Sequence, residues 1–141
     1  MRIMAIDYGD AHTGIAISDP TGFLTGFTTT ITAYRPEAAA EQIAALAREH
    51  GVEELVLGYP KNMDGSLGPR AEKAEAMAAL LRETTGLPVT LWDERRTTID
   101  AHQILMNSGK NAKKRKKTVD AVAASLILEG YLTYKKTHPS G

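Results

Sequence analysis

Four acidic residues stand where the chain passes from one kind of segment to another. Asp7 closes the apolar run Ile3-Met4-Ala5-Ile6, Asp93 and Glu94 follow Val89-Thr90-Leu91-Trp92, and Asp120 opens an apolar-periodic segment near the C-terminus. Brought together without a cation, Asp7, Glu94 and Asp120 would repel one another and raise their own pKa values. A divalent ion relieves that repulsion, and an oxygen-only donor set favours Mg²⁺ or Mn²⁺ over zinc. Two such ions about 3.5–4 Å apart suit in-line hydrolysis of a phosphodiester, activating the water and stabilising the departing oxygen. Asp93 is the fallback ligand should Glu94 point away. Each acid also has a plainer reading. Asp7 suits an Asx-type turn, Asp93 and Glu94 a solvated pair at a strand end, and Asp120 a helix N-terminus stabilised through its dipole. Their joint placement at element ends argues for a shared site.

Cations lie near the same acids. The chain is neutral overall, with 17 basic and 17 acidic residues, yet Lys110, Lys113, Lys114, Arg115, Lys116 and Lys117 form a basic segment with no acid among them. Without those six, 11 basic residues face 17 acidic ones, a remainder of −6. An acidic body with one basic segment can hold cations in one place and a polyanion in another; a solvated loop is the alternative. Arg95 and Arg96 flank Glu94 in sequence as the lysine run flanks Asp120, which places backbone-phosphate contacts close to the metal ligands. In the 61–70 loop, Asn62, Ser66 and Arg70, with backbone amides around Gly65 and Gly68, offer a further phosphate contact. That loop lacks the GK[ST] ending of a P-loop, and a plain connection competes with this reading.

The elements that must position these residues follow from the patterning. Arg2–Asp7 reads as a strand buried on both faces. Gly14–Ser18 is its hairpin partner, and Phe23–Ala33, rich in Phe and Thr, is a third strand. Pro36 starts a helix with Ala39, Ile43, Leu46 and Ala47 on one face, ended by Gly51. Leu55–Gly58 is a short buried strand. A second helix carries Ala74, Met77, Ala78 and Leu81 on one stripe and stops at Gly86. Val89–Trp92 is the fifth strand. Thr97 or Thr98 can cap a third helix through about Asn107, the basic loop follows, and a last helix runs from about Thr118 to Tyr134. Three strands and then alternating helix and strand imply an α/β fold with a mixed sheet and helices on both faces. Parallel strands deliver their C-terminal ends to one edge, where ligands gather.

Composition excludes several alternatives. There is no cysteine, hence no disulfide framework, thiolate metal site or cysteine nucleophile. Hydrophobic residues at 43% and charged residues at 24% are ordinary for a globular protein. No apolar stretch approaches the roughly 18 residues that span a bilayer, and the first residues lack a signal-peptide pattern, so a cytoplasmic protein is expected. One domain over residues 1–136 with a flexible tail at 137–141 is the expected organisation. The four histidines show no paired ligand spacing, and Tyr59 and Trp92 suit core or rim packing.

Four segments, in order over nearly the whole chain, carry a resemblance: MRIMAIDYGDAHTGIAISD (1–19), GYPKNMDG (58–65), DERRTT (93–98) and KKRKKTVDAVAASLIL (113–128). Together they resemble the YqgF/RuvX family, whose fold is similar to that of the resolvase RuvC within the ribonuclease H-like class. The resemblance implies a five-stranded mixed sheet in the order 3-2-1-4-5 with the second strand antiparallel. It implies a metal-dependent nuclease, with processing of the 5′ end of pre-16S rRNA as the expected role and cleavage of branched DNA (a Holliday-junction resolvase) as the alternative. Asp7 matches the family's first-strand aspartate, Glu94 the glutamate of its DER motif, and Asp120 the aspartate opening the last helix. Arg95 matches that motif's arginine, a phosphate contact or a salt-bridge partner. The expected partners are nucleic acid, either RNA precursor or branched DNA, with the ribosome or a pre-ribosomal particle as a further candidate and no membrane. Monomer and homodimer both stay open. One departure stands out: Ala11-His12 occupies a turn where the family often has a basic residue, with His12 or Arg96 as partial replacements.

Two other functions compete. A nucleotide-binding module of the sugar-kinase or actin type opens with a similar turn (Asp7, Gly9, Gly14), but it needs two such domains and 141 residues supply one. A non-catalytic nucleic-acid-binding factor is the other, and acids at all three positions argue against it.

Overall fold

The computed structural model describes residues 1–22, 24–60, 68–93 and 112–137, with backbone alone for 112–120 and 136–137. Five strands and three helices are described: β1 (Arg2–Asp7), β2 (His12–Ser18), β3 (Thr25–Thr32), α1 (Pro36–His50), β4 (Val52–Tyr59), α2 (Pro69–Thr85), β5 (Val89–Asp93) and α3 (Ala112–Thr137). The sheet order is β3-β2-β1-β4-β5. β1–β2 and β2–β3 are antiparallel, while β1–β4 and β4–β5 are parallel. Short connections suffice for the antiparallel meander. Parallel neighbours need crossovers, which α1 and α2 supply.

Residues alternate between the two faces of each strand. Met4, Ile6, Ile15, Ile17, Leu55 and Leu57 point to the side covered by α1 and α2. There they meet Ala39, Ala40, Ile43 and Ala47 of α1 and Ala71, Ala74, Met77, Ala78 and Leu81 of α2. Alanines on both helices let the backbones approach the sheet closely. Ile3, Ala5, Ala16 and Val56 point the other way, toward Ala124, Ile127, Leu128, Tyr131 and Leu132 of α3, with Trp92 at the margin. A strand buried on both faces reads as a continuous apolar run, which explains Ile3–Ile6. Burying each Ile or Leu contributes about 1.5–3 kcal/mol. α1 and α2 stop at Gly51 and Gly86, both in the left-handed region at φ 66° and 71°, where glycine carries no Cβ penalty.

Several boundaries differ from the expected ones. β2 begins at His12 rather than Gly14, because His12 and Thr13 pair with Thr32 and Ile31 of β3. β3 is described from Thr25, and Phe23 lies outside the described residues; ahead of the strand, Asp19 N–H donates to the Leu24 carbonyl at 2.7 Å, and the Thr21 hydroxyl to Asp19 Oδ1 at 2.8 Å. β4 extends back to Val52 through pairing with Arg2 and Ile3 of β1. The basic segment is not a loop from Ala112 onward. It forms the first turns of α3, which runs to Thr137, the first residue assigned to the tail. Lysine and arginine are good helix formers, so a like-charge run need not break a helix. The expected helix at 97–107 and residues 138–141 lie outside the described residues.

One buried charge pins α3 to the sheet. Glu54, near the start of β4, is 9% exposed. It accepts hydrogen bonds from the Tyr131 hydroxyl and, at 2.9 Å, from Lys135 Nζ. Burial, and then the bond to Glu54, push the Tyr131 hydroxyl from 10.0 up to about 12. Above pH 10 the unfolded chain releases this proton while the folded chain keeps it. The stabilisation is therefore complete below that pH and is lost as pH rises through about 12. Denaturant midpoints measured across this range are expected to fall less steeply for Tyr131→Phe than for the wild type. Equal slopes would remove Tyr131 as the cause.

Candidate active site

β1 is the central strand and delivers Asp7 to the edge where β1, β4 and β5 all end. Asp7 pairs with Gly14 across the antiparallel ladder, and Ile6 is the last residue of β1 paired with β4. By alternation with Ile3 and Ala5, Asp7 belongs to the α3 face. Asp93 closes β5 beside Tyr59. It alternates with Trp92, which packs under α3, and shares the opposite face with Leu91. Asp7 and Asp93 thus reach the same edge from opposite faces of the sheet.

Asp120 lies on the helical backbone of α3, as do Lys113, Lys114, Arg115, Lys116 and Lys117, and the side chains of all six fall outside the described ones. Glu94, Arg95, Arg96 and Asn62 lie outside the described residues. Among the described residues no three His, Asp or Glu side chains gather into a metal-sized cluster. The donor chemistry available at Asp7 is a partly buried carboxylate, which suits a hard cation such as Mg²⁺ or Mn²⁺.

Arg70 is the second residue of α2 and exposed. It lines a cleft together with Tyr8, Gly9, Asp10 and Lys73. The turn after Asp7 therefore faces the N-terminal turns of α2. Lys73 Nζ donates to Asp10 Oδ1 at 2.8 Å across that cleft. Hydrogen bonding to Lys73 holds the Asp10 carboxyl below its ordinary value, and the same contact raises Lys73. Burial raises the Tyr8 hydroxyl. Gly9 cannot be replaced freely here, since a Cβ would fall on the His12 carbonyl oxygen. Lys73 supplies positive charge at the turn where Ala11-His12 lacks it. Sequence reasoning missed this residue, and its only local signal was a lysine one helical turn after Arg70.

The aromatic expectations match the structure. Tyr59 is buried and donates to Glu75 Oε1 at 2.6 Å, a bond that raises its pKa. Trp92 packs edge-on against Tyr131 and Tyr134, with ring centroids 5.9 and 5.8 Å apart. His12 lies 3.3 Å from the Thr32 hydroxyl, and His50 stacks on Phe27.

Comparisons with known proteins agree with this architecture. A protein of Halothermothrix orenii, named as a candidate pre-16S rRNA nuclease, is 47% identical over 135 residues, covering 96% of both chains. One of Geobacillus thermodenitrificans with the same name is 43% identical over 138 residues, covering 96% of this chain and 100% of that one. Among solved structures, Thermus thermophilus RuvC in complex with a Holliday junction substrate superposes with a TM-score of 0.65 at 14% identity, covering 98% of this chain and 97% of that one. The large terminase nuclease of phage G20c gives 0.57 at 12% identity, covering 93% and 81%. At such identities the structural matches establish the fold alone, a RuvC-like, ribonuclease H-type sheet. The family model described as "RuvX: Holliday junction resolvase" matches residues 1–134, and the chain belongs to that family.

Proposed function

We propose that this chain is a divalent-metal-dependent nuclease that processes the 5′ end of pre-16S rRNA, carried by one domain over residues 1–136. The observation that carries this reading is the shared face of Asp7 and α3. Asp7 ends the central strand on the side covered by α3, and position 120 falls four residues before Ala124 on the helix. Helical periodicity puts backbone position 120 in register with Ala124, Ile127, Leu128 and Tyr131, the stripe that packs on the sheet. Glu94 is preferred to Asp93 as the third ligand because Asp93 belongs to the opposite face. Relatives named for pre-16S rRNA cleavage support the RNA substrate.

Asp7, Glu94 and Asp120 would hold Mg²⁺ or Mn²⁺. Bound there, the ion supplies an activated water and neutralises charge at the phosphate. Arg95, Arg96, Asn62 and Arg70 would position the substrate backbone near the carboxylates, and the basic first turns of α3 (Lys113, Lys114, Arg115, Lys116, Lys117) would hold it farther along. The family description favours a second substrate, the four-way DNA junction.

The test offers labelled precursor RNA, single-stranded RNA and a four-way DNA junction to the protein with Mg²⁺, Mn²⁺ or EDTA. Metal-dependent cleavage of the precursor is expected. Preferred cutting of the junction selects resolution instead, and binding without cutting on every substrate makes the chain a binding factor. Replacing Lys113, Lys114, Arg115, Lys116 and Lys117 by glutamine is expected to flatten the salt dependence of binding. On a single strand the logarithmic slope should fall by about 0.7 for each phosphate that is no longer neutralised. An unchanged slope removes the start of α3 from the interface.

A further inference from the structure

We propose that the cleft between the turn after Asp7 and the N-terminal turns of α1 and α2 takes one unpaired nucleobase of a single-stranded substrate, against Tyr8 and Tyr34, with an adjoining phosphate at Arg70 and Lys73. The substrate class rests on the nuclease reading; the cleft itself does not. Its volume is about 450 Å³, within the roughly 300–1,000 Å³ typical of small-ligand sites. Met77 and Leu80 of α2 contribute apolar surface, and Tyr8 and Tyr34 contribute aromatic rings. Tyr34 is 77% exposed, a large ring left in solvent at the mouth of a cleft. Base–aromatic stacking is how sequence-tolerant proteins hold single strands.

The polar lining suits a nucleotide better than a purely apolar guest. Lys73 and Asp10 are shared with the smaller cleft that Arg70 lines. Glu37 lines the larger one and lies 4.0 Å from Arg35. Arginine and lysine suit a phosphate, whereas the Asp10 and Glu37 carboxylates accept hydrogen bonds from exocyclic amino groups of a base. A phosphate arriving at Lys73 exchanges with Asp10 as its partner, a contact exposed to solvent on both sides and therefore inexpensive to open.

Position links the cleft to the candidate site. Tyr8 follows Asp7 directly, a Cα step of about 3.8 Å, and the two side chains leave the strand on opposite faces. A strand with one base beside Tyr8 must therefore bend over the C-terminal end of β1 for a neighbouring phosphate to reach Asp7. A paired base cannot enter such a cleft without leaving its stack, so the arrangement selects single-stranded over duplex nucleic acid.

Anisotropy with the wild-type protein in EDTA tests this, using a fluorescein-labelled single-stranded RNA, the same RNA in a duplex, and an abasic sugar–phosphate chain of equal length. Tyr34→Ala is expected to weaken single-strand binding roughly tenfold and to leave the abasic chain unaffected, with Tyr34→Phe restoring the wild-type Kd. Tyr34 lies at the surface, so its removal leaves the core intact. Equal losses on the RNA and the abasic chain, or no loss on the RNA, overturn the base site. Metal-dependent cutting that ignores Tyr34 sinks the cleft and spares the nuclease; base-dependent binding without cutting does the reverse. A wild type that binds none of the three overturns both.

Discussion

Asp7→Asn is expected to lower metal-dependent phosphodiester cleavage by roughly 10²–10³-fold, the scale seen when one electrostatic contributor to a preorganised site is removed. The replacement keeps the shape of the side chain and removes its negative charge. Asp7 sits at the end of the strand that the rest of the sheet is built around, with Gly14 opposite it. It lies beyond the apolar residues that form the core, so the unfolding midpoint should stay close to that of the wild type. Nucleic-acid binding should persist, because the basic residues proposed to hold the backbone are other than Asp7. Cleavage assays alongside anisotropy separate the two effects. A variant that cuts at the wild-type rate removes Asp7 from the active site, while one that loses binding and cleavage together gives it a role in holding substrate.

Ile127→Ala is expected to cost about 2–5 kcal/mol of stability, the range for emptying a buried aliphatic site. Ile127 is fully buried in the cluster that joins α3 to Ile3, Ala5, Ala16 and Val56. Against a typical total of about 5–15 kcal/mol, this is a large fraction. The urea midpoint should fall with little change in slope. Glu129→Ala, on the exposed side of the same helix, is expected to stay within about 0.5 kcal/mol of the wild type. Trp92 is the chain's one tryptophan and packs against Tyr131 and Tyr134, so its emission reports whether α3 has loosened. A destabilisation below about 1 kcal/mol for Ile127→Ala would contradict the packing of α3 on this face.

The order of elements was legible because each carries its own local signal. Ile3–Ile6 is a short apolar run closed by turn residues, the pattern of a strand buried on both faces, and Pro36, Gly51, Gly86 and the alanine stripes mark helices. Asp7 was legible for the same reason, as an acid at the abrupt end of an apolar run. Boundaries set by pairing were not legible. Val52 and Glu54 look like loop residues until β1 lies beside them, and His12 joins β2 only because β3 reaches that far. Buried Glu54 is explained by Tyr131 and Lys135, far away in sequence and adjacent only once α3 crosses the sheet. The Tyr8–Lys73–Arg70 cleft is likewise a product of the fold: a turn and a helix start meet there, and neither carries a motif announcing the other. The basic run misled in the opposite way: it read as a solvated loop, and from Ala112 onward helix propensity prevailed.

The position of β1 has a consequence for how the candidate site can move. Met4, Ala5 and Ile6 have ladder partners on both sides and helices over both faces. Their amides have no route to solvent short of dismantling the sheet, so deuterium should enter them only through global unfolding, at the slowest rates in the molecule. Asp7 therefore stands at the end of a strand enclosed on every side among the described residues. Were Asp7 to take a cation, the adjustment would fall to the elements packed around β1, such as α3, with Asp7 as their fixed point of reference.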